Sequence, residues 1–392
     1  MKKETRVTHP PEAKLPDGNV PVVTPVYRSV KFTYPTIEAS LTREAKEAGF
    51  DYTRDSNPTT RELELTAAEL QDRDDAVAVS TGMAAIWLAL LGKLEAGNRV
   101  VIFVESYRPN RVAVRRFLPK LGIEFAMVSV HDHDAIAREF ADKRTKLVLF
   151  EAPTNPMLQV PDLERIVGLA KRHDVVTVLD NTFAGLHNHG RFEIDYFVHS
   201  LTKYANGHGD VMGGVVIADK KRIRALKPLA TNMGSTLDPG AAFLIARGLK
   251  TYFVRFRQHS ASALAIAEHL AKRREVARVF YPGLPSDPGH ALARKQMSEF
   301  GGVLSFDLKA SKEQTWAFID ALELFTTTSS LGSTESLVAP VQLYLGTDLT
   351  AEEQQRAQIK DCTVRLAVGL EHVDDLIADI DQALHKTVRQ GG

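Results

Sequence analysis

Lys203 lies in the stretch "HSLTKYANGHGDVMGG", residues 199–214, between small hydroxyl residues and a glycine-studded run. It follows the apolar run "IDYFV", an unusual place for a solvated surface charge. An amine that attacks a carbonyl must be partly deprotonated, and a semi-buried polar pocket favours that state. Asp180 ends a second apolar run, "VVTVLD". A carboxylate buried there needs a partner, because burying it unpaired is costly. A third element is "STGMAAI", in which Ser80 ends a strand, Gly82 permits close backbone approach and Met83 opens a helix. The unsatisfied N–H groups and the dipole of such a helix start hold anions. Taken singly, these features have ordinary readings: a surface lysine, a strand-end cap and a common strand-to-helix loop. Together they describe a site for pyridoxal phosphate. Its aldehyde needs the amine of Lys203, and its ring nitrogen needs the carboxylate of Asp180 to stay protonated and act as an electron sink. Its phosphate needs N–H donors from Gly82 and Met83 and the hydroxyls of Ser200 and Thr202.

These residues require a scaffold of strand ends. From residue 61 onward, helical and strand periodicities alternate. The short apolar runs "AVAVS", "RVVIFV", "IEFAMV", "KLVLFEAP" and "VVTVLDN" are separated by helical segments such as "TGMAAIWLALLGKL", "RPNRVAVRRFLPKL" and "DLERIVGLAKRH". This pattern predicts an α/β fold, a large mostly parallel sheet with helices on both faces. Ligands of such sheets bind at the carboxyl ends of the strands. Past Lys203, "VMGGVVIAD" predicts a further strand, and the stretch from Gly240 to Arg273 a long, mostly helical segment. "GGVLSFDL", "EQTWAFIDAL", "TVRLAVGL" and "DDLIADIDQALHK" then predict a smaller C-terminal α+β unit. The expected division is an irregular, Pro-containing arm over 1–57, a cofactor-binding domain over 58–247 and a C-terminal domain over 248–392.

The bulk numbers narrow the function classes. Among 392 residues, 49 Lys and Arg balance 49 Asp and Glu, so no basic footprint points to nucleic acid or an anionic membrane. No apolar run is long enough to span a bilayer, and the N-terminus lacks the apolar core of a secretory signal. Cys362 is the single cysteine, which excludes an internal disulfide and fits a cytoplasmic enzyme.

The chain resembles the Cys/Met-metabolism, or trans-sulfuration, family of pyridoxal-phosphate enzymes. The resemblance rests on seven collinear blocks: "YTRDSNPT", "STGMAAI", "EAPTNP", "VLDNTFA", "SLTKYANGHGDVMGG", "SSLGSTESL" and "VRLAVGLEHVDDLIADIDQAL". It implies the fold of type I pyridoxal-phosphate transferases. It implies a homo-oligomer, a tetramer built as a dimer of dimers, with the site shared across the dimer. Lys203 would carry the cofactor covalently and shuttle protons, and Asp180 would pair with the ring nitrogen. Tyr107 would stack on the ring and serve as a proton donor. Tyr52 and Arg54 match the Tyr-x-Arg pair that reaches the phosphate of the neighbouring subunit, which gives the irregular arm a purpose; Tyr52 would also border the substrate. Asn155, Ser330 and Arg365 would bind the amino-acid substrate, with the planar fork of Arg365 suited to its carboxylate.

The implied reaction is γ-elimination from a γ-substituted L-amino acid: an O- or S-substituted homoserine that is cystathionine-, methionine- or canavanine-like. γ-Replacement and β-elimination run on the same site type and stay open. Departures from the family lie in "YRPNR", where most γ-acting members carry Tyr-Gly-Gly-Thr, and at Ser329, where many cystathionine-handling members carry Glu. Other features have ordinary readings. "HDHD", residues 131–134, is read as helix capping rather than metal binding. His208 is read as making a loop hydrogen bond, and Cys362 as a strand-entry residue.

Overall fold

The computed structural model describes residues 15–42, 49–345 and 348–388, together with Lys2 and Thr5. Seven strands form the larger sheet: β1 (Asp75–Val79), β2 (Arg99–Phe103), β3 (Glu124–Val128), β4 (Thr145–Glu151), β5 (Val176–Asp180), β6 (Tyr196–Ser200) and β7 (Gly214–Ala218). Their order is β1-β7-β6-β5-β4-β2-β3. All neighbours are parallel except β7, which runs antiparallel to both β1 and β6. A parallel return needs a crossover helix; residues 201–213 hold only turns, so β7 returns antiparallel beside β6.

Alternate residues feed two cores. Val101 and Phe103 of β2 join one, and Val100 and Ile102 the other. A sheet covered on both faces therefore reads as an unbroken apolar run rather than an alternation.

Fourteen α-helices occur among the described residues. Around the larger sheet and its arm lie α1 (Ile37–Leu41), α2 (Pro58–Leu70), α3 (Gly82–Leu91), α4 (Arg108–Val112), α5 (His133–Ala141), α6 (Leu163–His173), α7 (Lys220–Met233) and α8 (Pro239–Leu249). The start of α2 is written locally: Pro58 opens it, and Asn57 accepts a hydrogen bond from the Thr59 amide at 2.9 Å. Asp132 caps α5 by accepting from the Ala135 amide at 2.8 Å, in keeping with the capping reading of "HDHD". The helix expected over 108–121 is broken. Only Arg108–Val112 is α-helical; a π-type turn over Ala113–Phe117 and a tighter turn over Leu118–Leu121 follow. Pro119 lacks the N–H that a continuing helix would use.

The smaller sheet has the order β10-β11-β12-β9-β8. Its strands are β8 (Val276–Phe280), β9 (Val303–Leu308), β10 (Thr326–Thr327), β11 (Leu337–Pro340) and β12 (Thr363–Ala367). The remaining helices are α9 (Tyr252–Ala271), α10 (His290–Gln296), α11 (Lys312–Asp320), α12 (Gln342–Leu345), α13 (Ala351–Arg356) and α14 (Val373–Thr387). Helices α9, α11 and α14 cover this sheet through Ile266, Phe318 and Ile380. The long helical stretch expected after Gly240 divides at Lys250–Thr251 into α8, packed on α2, and α9, packed on the smaller sheet. At the end of α8 a Cβ on Gly248 would stand 2.2 Å from the Asn206 carbonyl oxygen, so the chain passes close to the Lys203 loop there.

Candidate active site

The larger sheet delivers its functional side chains at strand carboxyl ends. Glu151 ends β4, Asp180 ends β5 and Ser200 ends β6, with Thr202 and Lys203 in the following turn. Gly82 follows β1, and Tyr107 follows β2 as the N-cap of α4. The smaller sheet adds Ser330 and Leu331 from the loop before β11, Tyr344 from α12 and Arg365 from β12. All these residues, with Met83, Asn155, Thr182 and Phe183, line one cavity of about 260 Å³.

Lys203 donates through Nζ to the Ser330 hydroxyl at 2.6 Å. Burial, and then the nearby Arg365 charge, lower its pKa to about 8. A minor fraction of neutral amine, roughly a tenth at pH 7, is therefore available, the state a nucleophile or base requires. Asp180 accepts from the Thr182 hydroxyl at 2.6 Å and from the Thr182 amide at 3.2 Å. Thr182 in turn accepts from the Ser200 amide at 2.9 Å, which ties the end of β5 to the end of β6. Burial raises the Asp180 pKa against these hydrogen bonds, so its carboxylate calls for a cation.

The start of α3 faces the same space. Thr81 caps it by accepting from the Ala84 amide at 3.0 Å. The N–H groups of the first turn, Gly82 and Met83, have no intrahelical partner. A Cβ on Gly82 would lie 2.8 Å from Cβ of Ser200, so only glycine lets the helix start sit this close to β6. The Thr202 hydroxyl accepts from the Gly213 amide at 3.0 Å.

Arg365 is buried between two rings, its guanidinium carbon 5.3 Å from the Phe183 centroid and 4.7 Å from that of Tyr344. It donates to the Tyr344 hydroxyl and, at 3.3 Å, to the Ser330 carbonyl. Its Nε and the buried Oδ1 of Asn155 find no hydrogen-bond partner in the described structure. Buried donors and acceptors of this kind are normally satisfied, so two groups that can hold an amino acid stand ready. Ser330 links the two cations, with its hydroxyl on Lys203 and its carbonyl on Arg365. It does so at φ 112°, a conformation that ordinarily belongs to glycine.

Two residues expected at the site stand elsewhere in this chain. Tyr52 and Arg54 stack on each other at 5.0 Å and do not line the Lys203 cavity. Arg54 borders a separate depression and accepts through its carbonyl from the Thr236 hydroxyl at 3.2 Å. His208 binds the Asn206 carbonyl at 2.8 Å within its loop, and Cys362 directly precedes β12.

Sequence reasoning missed Glu151, Thr182 and Tyr344. Glu151 accepts from the Tyr107 amide at 2.5 Å and from the Asn110 side chain at 3.1 Å. Burial, and then Asp180, raise its pKa to about 8. The signal for Glu151 was its place at the end of "KLVLFE", the same strand-end logic that singled out Asp180.

An amine, a carboxylate, an anion-binding helix start and two hydroxyls surrounding one cavity fit pyridoxal phosphate. Gly82, Met83, Ser200 and Thr202 can hold the phosphate, Asp180 the ring nitrogen and Lys203 the aldehyde carbon. No group of His, Cys, Asp and Glu that could hold a metal ion occurs among the described residues, and no described helix is long and apolar enough to cross a membrane.

A family model described as Cys/Met metabolism PLP-dependent enzyme matches residues 4–385. The L-methionine gamma-lyase of Fusobacterium nucleatum subsp. polymorphum is 39% identical over 371 residues, covering 92% of this chain and 93% of that protein. The cystathionine beta-lyase of Lactococcus lactis subsp. cremoris is 37% identical over 340 residues, covering 86% of this chain and 89% of that protein. The crystal structure of cystathionine gamma synthase from Xanthomonas oryzae pv. oryzae, in complex with cystathionine, superposes with a TM-score of 0.88. It is 36% identical and covers 94% of both chains.

Proposed function

The chain belongs to the Cys/Met metabolism family of PLP-dependent enzymes, and from that premise we propose that it catalyses γ-elimination from an O- or S-substituted L-homoserine. The observation that carries this reading is the single cavity that unites Lys203, Asp180, Tyr107, Asn155 and Arg365. Pyridoxal phosphate, joined to Lys203, supplies the electron sink.

The chain's own residues supply the rest. Arg365 and the Nδ2 donor of Asn155 hold the substrate carboxylate and so aim its Cα. Asp180 keeps its negative charge against the ring nitrogen. The α3 N-terminus, Ser200 and Thr202 fix the phosphate, and Ser330 orients the Lys203 amine. Once the substrate amine has taken its place, the neutral amine of Lys203 would take the Cα proton and, after handing it to the cofactor carbon it had been bonded to, could take a proton from Cβ. The hydroxyl of Tyr107 protonates the leaving group. Its raised pKa, from burial and from Asp180 and Glu151, keeps that proton in place until it is needed.

The cavity wall also bears on the substrate. Glu151 and Asp180 are its only carboxylates among the described residues, and both lie beside Tyr107 and Asn110. By the resemblance, Ser329, on the cavity wall, takes the place where many cystathionine-handling members carry Glu, an acid that would suit the distal ammonium. This supports a methionine-like thioether, or an oxygen-linked group such as an acyl ester or a guanidinooxy substituent as in canavanine. We also assign the enzyme to the cytoplasm, as a dimer of dimers in which Tyr52 and Arg54 serve the partner's phosphate.

One panel tests the reaction. Purified enzyme is incubated with O- and S-substituted homoserines, cystathionine, methionine and canavanine, with and without sulfide. 2-Oxobutanoate formed without sulfide supports γ-elimination, as does homoserine whose hydroxyl oxygen comes from the solvent, since ester hydrolysis would retain the substrate's own oxygen. Pyruvate identifies β-elimination instead, and product formed only with sulfide identifies γ-replacement; either overturns the proposal.

A further inference from the structure

Tyr344 is buried, lines the cavity and accepts a hydrogen bond from Nη1 of Arg365. A phenol that accepts from a guanidinium keeps its own proton free to donate. A carboxylate that pairs with Arg365 in the cavity both residues line therefore meets a second donor, held on Nη1 of the same guanidinium.

The seat of Tyr344 is fixed from the other end. Its backbone carbonyl accepts from Nη2 of Arg111 at 3.2 Å. Nε of Arg111 also pairs with Asp348 at 2.9 Å, and Nη1 donates to the Ser106 carbonyl. Arg111 is itself fully buried and lies one helical turn beyond Tyr107 on α4. Nε of Arg108, beside Tyr107, stands 3.4 Å from the other oxygen of Asp348. The helix that begins at Tyr107 is thus latched to the segment carrying Tyr344.

We propose that Tyr344 is a substrate-binding residue whose hydroxyl donates to the α-carboxylate held by Arg365, and that Arg111 and Asp348 are positioning residues that hold it there. This deepens the site described above and rests on the reading of Arg365 as the carboxylate partner. A hydroxyl fixed against a guanidinium gives the carboxylate two donors from different elements, one on α12 and one on β12. It thereby selects a free carboxylate over an amide or ester at the same position, because only the anion gains a charge-assisted bond. The contact is made equally before and during the reaction, so its loss raises KM and leaves kcat in place.

The test uses the cofactor-loaded enzyme and glycine, an amino acid with no leaving group, so the outcome does not depend on which reaction the enzyme runs. Binding is followed through the absorbance of the bound cofactor. Tyr344→Phe is expected to weaken glycine binding about tenfold or more, the worth of one hydrogen bond to a charged group. Glycinamide binding weakens less, because its neutral carbonyl gains only an ordinary hydrogen bond from the phenol. With a reactive substrate, KM rises in the same proportion while kcat holds. Asp348→Asn, which loosens the seat without touching the phenol, moves glycine binding in the same direction and carries the test should Tyr344→Phe fail to fold. Wild-type glycine affinity in Tyr344→Phe, or an equal loss for glycine and glycinamide, overturns the proposal. Arg365→Lys is the control: undiminished glycine binding there would instead overturn the role given to Arg365.

Discussion

Glu151 and Asp180 stand side by side, paired in register as the last rung between parallel strands β4 and β5. Two enclosed carboxylates so placed cannot both ionise without a cation between or beside them. Asn110 helps to hold the pair, donating to Glu151 at 3.1 Å and hydrogen bonding with Asp180. The division of labour is unequal. Thr182 donates twice to Asp180 and favours its charge, whereas burial and Asp180 itself push Glu151 up to about 8. With its pKa pushed up to about 8 by burial and by Asp180, Glu151 is expected to hold a proton at neutral pH.

A stability profile follows from that proton. In the unfolded chain Glu151 ionises near 4.5, and in the folded chain near 8. Between those values the folded state holds a proton that the unfolded state has lost. The stabilisation is complete below the lower value, declines as pH rises through the window and levels off above about 8. The melting temperature of the cofactor-free protein should therefore fall across this range, and fall less steeply in Glu151→Gln. Parallel curves for the two proteins would rule out the shared-proton account.

Lys203 titrates in the opposite sense. Its pKa drops from 10.5 to about 8, so the reactive neutral amine grows as pH rises through the lower value. Covalent uptake of pyridoxal phosphate by the cofactor-free protein should accelerate through about pH 8 and plateau above it. Borohydride reduction should leave the added mass on the peptide containing Lys203, as read by mass spectrometry. Lys203→Arg should show no adduct there, and turnover should fall by at least 10²- to 10⁴-fold, roughly the worth of a positioned proton-transfer group. An adduct on another lysine would remove Lys203 from its role.

The strand-end logic that singled out Lys203 and Asp180 brings them to one cavity because apolar runs locate parallel strands, whose carboxyl ends lie together. Seven strands of the larger sheet were legible for that reason. Glu151 ends such a run as well, but its meaning depends on standing opposite Asp180, and register between separate strands is not written in either one. Tyr344 was illegible for a different reason. Its segment has no periodic pattern, and its partners Arg111 and Arg365 lie 233 and 21 residues away along the chain. The break of the helix after Val112 carried a local signal in Pro119; helical spacing on both sides concealed it.

Gly82 offers a steric test of the anion seat. An added Cβ meets the Ser200 Cβ at 2.8 Å and its Cα at 3.1 Å, so the start of α3 must move away from β6. Overpacking of this kind costs about 1–3 kcal/mol. It also separates the Gly82 and Met83 amides from the Ser200 hydroxyl. Gly82→Ala should lower the melting temperature and weaken pyridoxal phosphate binding about tenfold, as measured by equilibrium titration. Gly168→Ala is the contrast, because an added Cβ there meets nothing nearer than Arg172 at 3.8 Å. In the middle of α6 that change should stabilise by roughly 0.5–1 kcal/mol and leave cofactor binding alone. Equal cofactor loss in both variants would mean that the α3 start is not the phosphate seat.

Tyr52 and Arg54 lie outside the Lys203 cavity of their own chain, which makes the shared-site reading open to complementation. Arg54→Ala alone should weaken cofactor retention, and Lys203→Ala alone should be inactive. If Arg54 serves the partner's phosphate, a mixed dimer of the two variants contains one site with Lys203 from one chain and Arg54 from the other. Its second site carries both defects. Unfolding and refolding an equal mixture should then restore about a quarter of the wild-type activity per site, since half the dimers are mixed and each holds one intact site. Separately refolded variants provide the baseline. Activity that stays at that baseline, with size-exclusion chromatography showing dimers or larger assemblies, would place Arg54 outside the partner's site and leave the arm a structural role alone.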